Sequence, residues 1–137
     1  MRTLIAMTVL MALGLVFPAM AADKPDKQDL DQLENRVKQL NAVGAKPEMQ
    51  DIAFQRISTE TGVPVETVRK QHGRHPNLGV AGLMIANVLA NETKKTPEQF
   101  LAAREKGKNW VTIAQQNNVS VDKLNERLDR LQKAIKG

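Results

Sequence analysis

The chain has no cysteine, no tyrosine and a single tryptophan. Without cysteine there is no disulfide framework, no thiolate metal site and no sulfur nucleophile. Aromatic residues make up 3% of its 137 positions, too few for the stacking platform that holds single-stranded nucleic acid. Acidic residues are also in deficit: 15 Asp and Glu stand against 20 Lys and Arg, a net charge of +5. That excess is mild, far below a polybasic tail, and selects no partner by itself. Beyond residue 22 no apolar run approaches the roughly 20 residues that a membrane span needs. A glycine-rich phosphate loop and a paired-carboxylate motif are missing as well. No window alternates apolar and polar residues with period 2, so no sheet is expected. The length suits one domain with its own core, or two very small units sharing one. An enzyme is not expected, and no residue set suggests a cofactor.

What is present begins with an address. Arg2 is the only charge before Asp23, Leu4 to Phe17 is almost wholly apolar, and Pro18 precedes Ala19-Met20-Ala21. A positive start, a short apolar stretch and an A-x-A pattern read as a secretory signal peptide over 1–21, cut after Ala21 with Ala22 as the neighbouring option. The expected location is periplasmic or secreted, with no integral membrane span left after cleavage. A cysteine-free chain folds in an oxidising compartment without disulfide catalysis.

The rest reads as an all-α chain, a compact bundle of about six short helices. Leu30, Leu33, Val37 and Leu40 form one helical stripe. Gly44 ends it, and Pro47 opens a second helix to about Thr61, with Met49, Ile52, Ala53, Phe54 and Ile57 on its apolar face. Gly62 stops that helix, and a short one runs from Val65 to about Gln71. The segment 73–79 reads as a loop, because it holds Pro76 and two glycines. Leu83, Ile85, Ala86, Val88 and Leu89 mark a strongly apolar helix over 80–91, with Gly82 permitting close approach. Thr96-Pro97-Glu98-Gln99 is a capping box. Asn109 caps a helix with Trp110 and Ile113, and Ser120 caps the last one, whose stripe is Val121, Leu124, Leu128, Leu131 and Ile135. The two stripe helices, 30–43 and 120–136, are seams expected to pack on each other or on a second copy of the chain.

At an offset of 56 residues, Gly62-Val63-Pro64-Val65-Glu66 falls on Asn118-Val119-Ser120-Val121-Asp122. Phe54 falls on Trp110, Ile57 on Ile113 and Val68 on Leu124. Each copy reads as a helix, a tight turn and a second helix crossing over it. The expected organisation is a leader and amphipathic helix over 22–46, a first helix-turn-helix-like repeat over 47–79, and a linking helix with a second repeat over 80–137. The segment Trp110-x-x-Ile113-Ala114 followed by Val119-Ser120-Val121 and Leu124 resembles the helix-turn-helix of DNA-binding proteins. It is also similar to the helical centre of LysM glycan-binding modules, although those carry flanking strands where this chain reads as helix. A broader resemblance rests on Thr61-Gly62-Val63-Pro64, Leu78-Gly79, Ile85-Ala86-Asn87, Thr96-Pro97-Glu98-Gln99 and Lys106-Gly107-Lys108-Asn109-Trp110. These resemble small exported bacterial all-helical proteins of unassigned function, which implies the layout and the export but no activity.

Candidate chemistry is sparse. His72 and His75 stand three apart in His-Gly-Arg-His, but a metal site needs further ligands, and a solvated cationic loop is expected there. Of the two serines, Ser120 is a cap and Ser58 has no histidine near it in sequence. Glu126 with Arg130 and Asp129 with Lys133 have the spacing of helix-surface ion pairs. Two basic clusters remain as an anion-binding surface: Arg69, Lys70 and Arg74 in the loop region 69–75, and Lys94, Lys95, Arg104, Lys106 and Lys108 around the helix before Trp110. Glu66 and Asp122 lead the second helix of each repeat, which suits the helix dipole but would repel a DNA backbone. Trp110 is expected in the core, since its repeat mate is Phe54. The function expected is an exported non-catalytic binding or structural module for an anionic envelope polymer or a protein. LysM-like peptidoglycan binding is one alternative, and a DNA-binding regulator, if the N-terminal segment does not export the chain, is another.

Overall fold

A computed structural model describes residues 26–136. The signal-peptide segment 1–21 lies outside the described residues. Those described form seven α-helices and no strand: α1 (Lys27–Gly44), α2 (Pro47–Thr61), α3 (Val65–Arg74), α4 (Gly79–Thr93), α5 (Pro97–Glu105), α6 (Trp110–Gln116) and α7 (Val121–Lys136), with a 3-10 turn at Pro76–Leu78. The count is one above the six or so expected, and the helix after Pro64 has ten residues, running past the Gln71 expected as its end. It passes through Gly73 to Arg74, and the His75 N–H closes it on the Gln71 carbonyl at 2.9 Å. The loop expected at 73–79 is therefore short, and α4 starts at Gly79. Tertiary contacts override the local glycine signal: the His72 ring packs 5.4 Å from the Phe54 ring, and His75 is held by Glu105.

The helix ends follow local chemistry. Asp26 accepts the Gln28 N–H at the start of α1, and Pro47 opens α2. Thr96 and Gln99 cap α5 reciprocally, Asn109 Oδ1 accepts the Thr112 N–H at 2.8 Å, and Ser120 Oγ accepts the Lys123 N–H at 3.1 Å. Each satisfies a backbone donor that a helix start leaves without a partner.

Helix α4 sits at the centre. Every residue from Val80 to Ala90 is buried, and α1, α2, α3, α5 and α7 pack around it. A helix apolar on all sides must be enclosed, and amphipathic helices supply the enclosure. The approach of α1 is close. A Cβ on Gly44 would stand 2.4 Å from Val80 Cγ2, and one on Gly79 would stand 2.2 Å from Asn41. Gly79 also has φ +69, which disfavours any side chain. Asn41 uses the space: its Nδ2 donates to the Leu78 carbonyl and its Oδ1 accepts the Ala81 N–H, at 3.0 and 2.8 Å. Asn87 is the one polar side chain inside the enclosed stretch. It exchanges hydrogen bonds with Gln71 of α3 at 2.8 and 3.1 Å and also donates to the Leu83 carbonyl.

The two seam helices pack on each other within the chain. Leu33, Val37 and Leu40 of α1 and Leu124, Leu128, Leu131 and Ile135 of α7 are all buried. Those stripes are thus used internally. Asp129 pairs with Arg36 of α1 rather than with Lys133. Arg130 lies 2.9 Å from Glu60 of α2 and only loosely approaches Glu126, at 3.9 Å. Glu60 accepts from Arg56 and Arg127 as well, so three guanidiniums from two helices converge on one carboxylate. Burial pushes the Glu60 carboxyl up. The hydrogen bond and charge of Arg130, with Arg56 and Arg127, outweigh that and hold it below its ordinary value.

Candidate anion-binding surface

The eight cations singled out in sequence divide by side-chain type. Arg69, Lys70 and Arg74 stand on helix α3 and not in a loop. Arg69 Nη2 donates to Asp51 Oδ1 at 2.6 Å, its Nε lies 3.4 Å from Glu66, and its guanidinium covers the Phe54 ring at 5.6 Å. Arg74 reaches Glu98 at 3.3 Å. Arg104 turns inward: it forks onto Glu34 of α1 and lies 5.7 Å from the Trp110 ring. Glu34 also accepts the Trp110 N–H at 3.0 Å, so a carboxylate of α1 caps α6 from across the fold. The three arginines are neutralised and serve to hold helices together.

The five lysines differ. Among the described residues no carboxylate lies within ion-pair distance of Lys70, Lys94, Lys95, Lys106 or Lys108. Four of them bracket α5. Lys94 ends α4 in the left-handed conformation, Lys95 follows it, Lys106 closes α5 and Lys108 precedes α6. Lys95 Nζ donates to Asn117 Oδ1 at 2.8 Å and Lys108 Nζ to Gln116 Oε1 at 3.0 Å. Both partners are uncharged amides at the end of α6, so they orient the ammonium groups without neutralising them. Lys95, Lys108, Gln99, Gln116 and Asn117 line a shallow cleft of about 170 Å³ over the buried Phe100. That is smaller than the roughly 300–1,000 Å³ of a small-molecule pocket.

The carboxylates of the same segment are spent in another direction. Glu98 faces Arg74, with His75 Nε2 at 3.9 Å, and Glu105 contacts His75 Nδ1 at 2.9 Å. Positions 98 and 105 are seven apart and share one helix face. Charge is therefore sorted across α5: its acids meet α3, while lysines without acidic partners stand at its two ends.

The histidines do not converge. His72 Nε2 lies 3.3 Å from Gln50 Nε2 on α2, and His75 faces α5. This docked geometry replaces the solvated loop that the sequence suggested. Among the described residues no group of three or more His, Asp and Glu is placed to hold a metal ion. Trp110 is 1% exposed and offers no open ring for a sugar to stack on. No described helix is long and apolar enough to cross a membrane.

Sequence reasoning missed Glu34, Glu60 and Arg36. Each lies beside an apolar stripe in sequence; Arg56 and Glu60 do have the i,i+4 spacing of a helix pair, but the other partners lie 67 to 96 residues away, beyond any local spacing. No family model matches the chain, and neither a curated protein nor a solved structure matches it.

Proposed function

We propose that the protein is an exported, non-catalytic module that binds an extended anionic polymer of the bacterial envelope or extracellular space. The N-terminal segment 1–21 acts as a cleaved signal peptide, and the binding edge is formed by Lys94, Lys95, Lys106 and Lys108. The observation that carries this reading is the sorting of charge across α5. Among the described residues two amide-oriented ammonium groups and two further lysines have no acidic partner, whereas the acids between them in sequence are engaged by Arg74 and His75. An open, shallow cationic edge suits repeated charges on a polymer better than one enclosed small molecule. Segments 47–74 and 110–136 act as two helix-turn-helix-like supports for this edge. Support for treating them as copies comes from Gly62 and Asn118, which both turn through the left-handed region, at φ 79 and 58.

The test is retention on immobilised lipopolysaccharide and on duplex DNA as a function of salt. Binding should weaken steeply as salt rises, and changing all four lysines to glutamine should lower affinity about tenfold or more at low salt and flatten the salt slope. Equal binding by the four-lysine variant, or no salt-sensitive binding to any polyanion, would remove the proposal. The export part is checked separately by intact mass: a chain beginning at Ala22 or Asp23 in periplasm or medium is expected, and a full-length cytosolic chain would restore the DNA-regulator alternative.

A further inference from the structure

A second cleft, of about 470 Å³, lies between α1 and α7, and its walls are Arg36, Asp129, Gln132, Lys133 and Lys136. The cleft is open to solvent, and its volume falls within the range of small-molecule sites. None of its residues belongs to the lysine edge described above. Arg36 forms one wall and is clamped: Nη1 donates to Asn125 Oδ1 at 3.3 Å, Nη2 to Gln132 Oε1 at 3.5 Å, and Nη2 also pairs with Asp129. A guanidinium has five N–H donors, and these contacts use three of them.

Lys133 and Lys136 form another part of the wall. They stand i,i+3 on the last turns of α7, both are exposed, and among the described residues no carboxylate lies within ion-pair distance of either. Cations at a helix C-terminus complement its dipole, which accounts for lysine at these positions. It does not account for a third cation fixed across the same cleft. Like charges this close on one helix disfavour each other, and an anion between them removes that cost. The lining carries three positive charges and one negative, and the negative one already pairs with Arg36. The remainder matches a dianion.

We propose that this cleft binds the phosphate of a small phosphomonoester. Such a group carries close to two negative charges near pH 7 and offers three acceptor oxygens. The cleft is larger than one phosphate requires, given that a water takes about 30 Å³ of liquid volume. The organic part lies against Gln132 and the aliphatic stems of the two lysines, which bury carbon while the heads stay polar.

The test is calorimetric titration of the purified protein with glycerol phosphate, inorganic phosphate and succinate. Glycerol phosphate should bind saturably at one site, more tightly than inorganic phosphate and far more tightly than succinate. K133Q/K136Q should weaken it about tenfold or more, a change of about 1.4 kcal/mol, while the variant stays folded with only a small fall in melting temperature. The variant lacking Lys94, Lys95, Lys106 and Lys108 should bind it as the parent does, so the two sites fail independently. Absence of saturable binding overturns the site. So does a loss of equal size in the four-lysine variant, and so does K133Q/K136Q binding like the parent. Inorganic phosphate binding as tightly as the monoester overturns the role given to the organic part, and succinate binding as tightly overturns the choice of phosphate.

Discussion

Segments 47–74 and 110–136 place the same residue types in the same roles. Phe54 and Trp110, Ile57 and Ile113, and Val68 and Leu124 are all buried, and a left-handed residue turns each chain into its second helix. Beyond the turn they part. Helix α3 has ten residues and buries only Val68 and Gln71, whereas α7 has sixteen and buries Leu124, Leu128, Leu131 and Ile135. A long apolar stripe anchors α7, and ion pairs of Arg127 and Arg130 with Glu60 and of Asp129 with Arg36 flank it. Helix α3 has too little apolar face for that, so it is held by specific polar contacts: the Gln71–Asn87 amide pair, Arg69 on Asp51, and Arg74 on Glu98. The same turn can therefore precede either kind of anchorage, and the length of stripe after it decides which.

The largest effect expected from breaking this contrast is in α7. Leu128→Ala removes a side chain with no exposure and should cost about 2–5 kcal/mol in denaturant unfolding. Val68→Ala, its counterpart in weight on α3, should cost about 2 kcal/mol, since it loses two methyl groups and leaves a smaller cavity. Equal costs would mean that the two anchorages do not differ.

The amide pair is the next place to probe. Gln71→Ala leaves the buried Asn87 oxygen without its donor and should cost about 1–3 kcal/mol, while replacing both residues with leucine should bring stability back near the parent value. A double variant as unstable as the single one would show that the pair does more than satisfy itself.

Glu60 joins the two segments, since it lies on α2 and takes Arg127 and Arg130 of α7. Its carboxyl titrates below the ordinary value in the folded state, because three guanidiniums outweigh its burial. A lowered folded pKa adds stability above the unfolded carboxyl value, and that stability is lost as pH falls through the folded one. The parent should therefore lose more stability between about pH 5 and pH 3 than Glu60→Gln does. At neutral pH the variant should be weaker by about 1 kcal/mol, since two of the arginines are partly solvated. Parallel acid profiles for the two proteins would sink this account.

The smallest effects belong to the turns. A Cβ on Gly62 meets nothing within 4 Å, so Gly62→Ala should cost only the left-handed strain, about 1 kcal/mol. Asn118→Gly relieves the same strain and should change stability by a few tenths of a kcal/mol, by differential scanning calorimetry.

The eight cations show how far local sequence reaches. Their clustering along the chain is plain, yet it does not distinguish Arg104, half-buried against Glu34 and Trp110, from Lys108, held over a cleft by an amide. The partner of Arg104 lies 70 residues away and that of Arg36 as far as 96. The break in segment 73–79 is shorter than its sequence signals for a related reason: Gly73 and Pro76 mark a loop, but His72 and His75 are docked on other helices.

The sequence by itself determined the elements: the stripes at spacings of three and four, the caps at Asn109 and Ser120, the turns at Gly62 and Asn118, and the enclosed helix around Leu83 to Leu89. These depend on backbone hydrogen bonds and burial patterns written within a few residues. Tertiary structure alone decided which acid meets which base, that the α1 and α7 stripes close on each other, and that lysines at the ends of α5 stand without acidic partners. An exposed ion pair contributes at most about 1 kcal/mol, so local sequence is scarcely constrained by it, and only the packing of distant helices brings its members together.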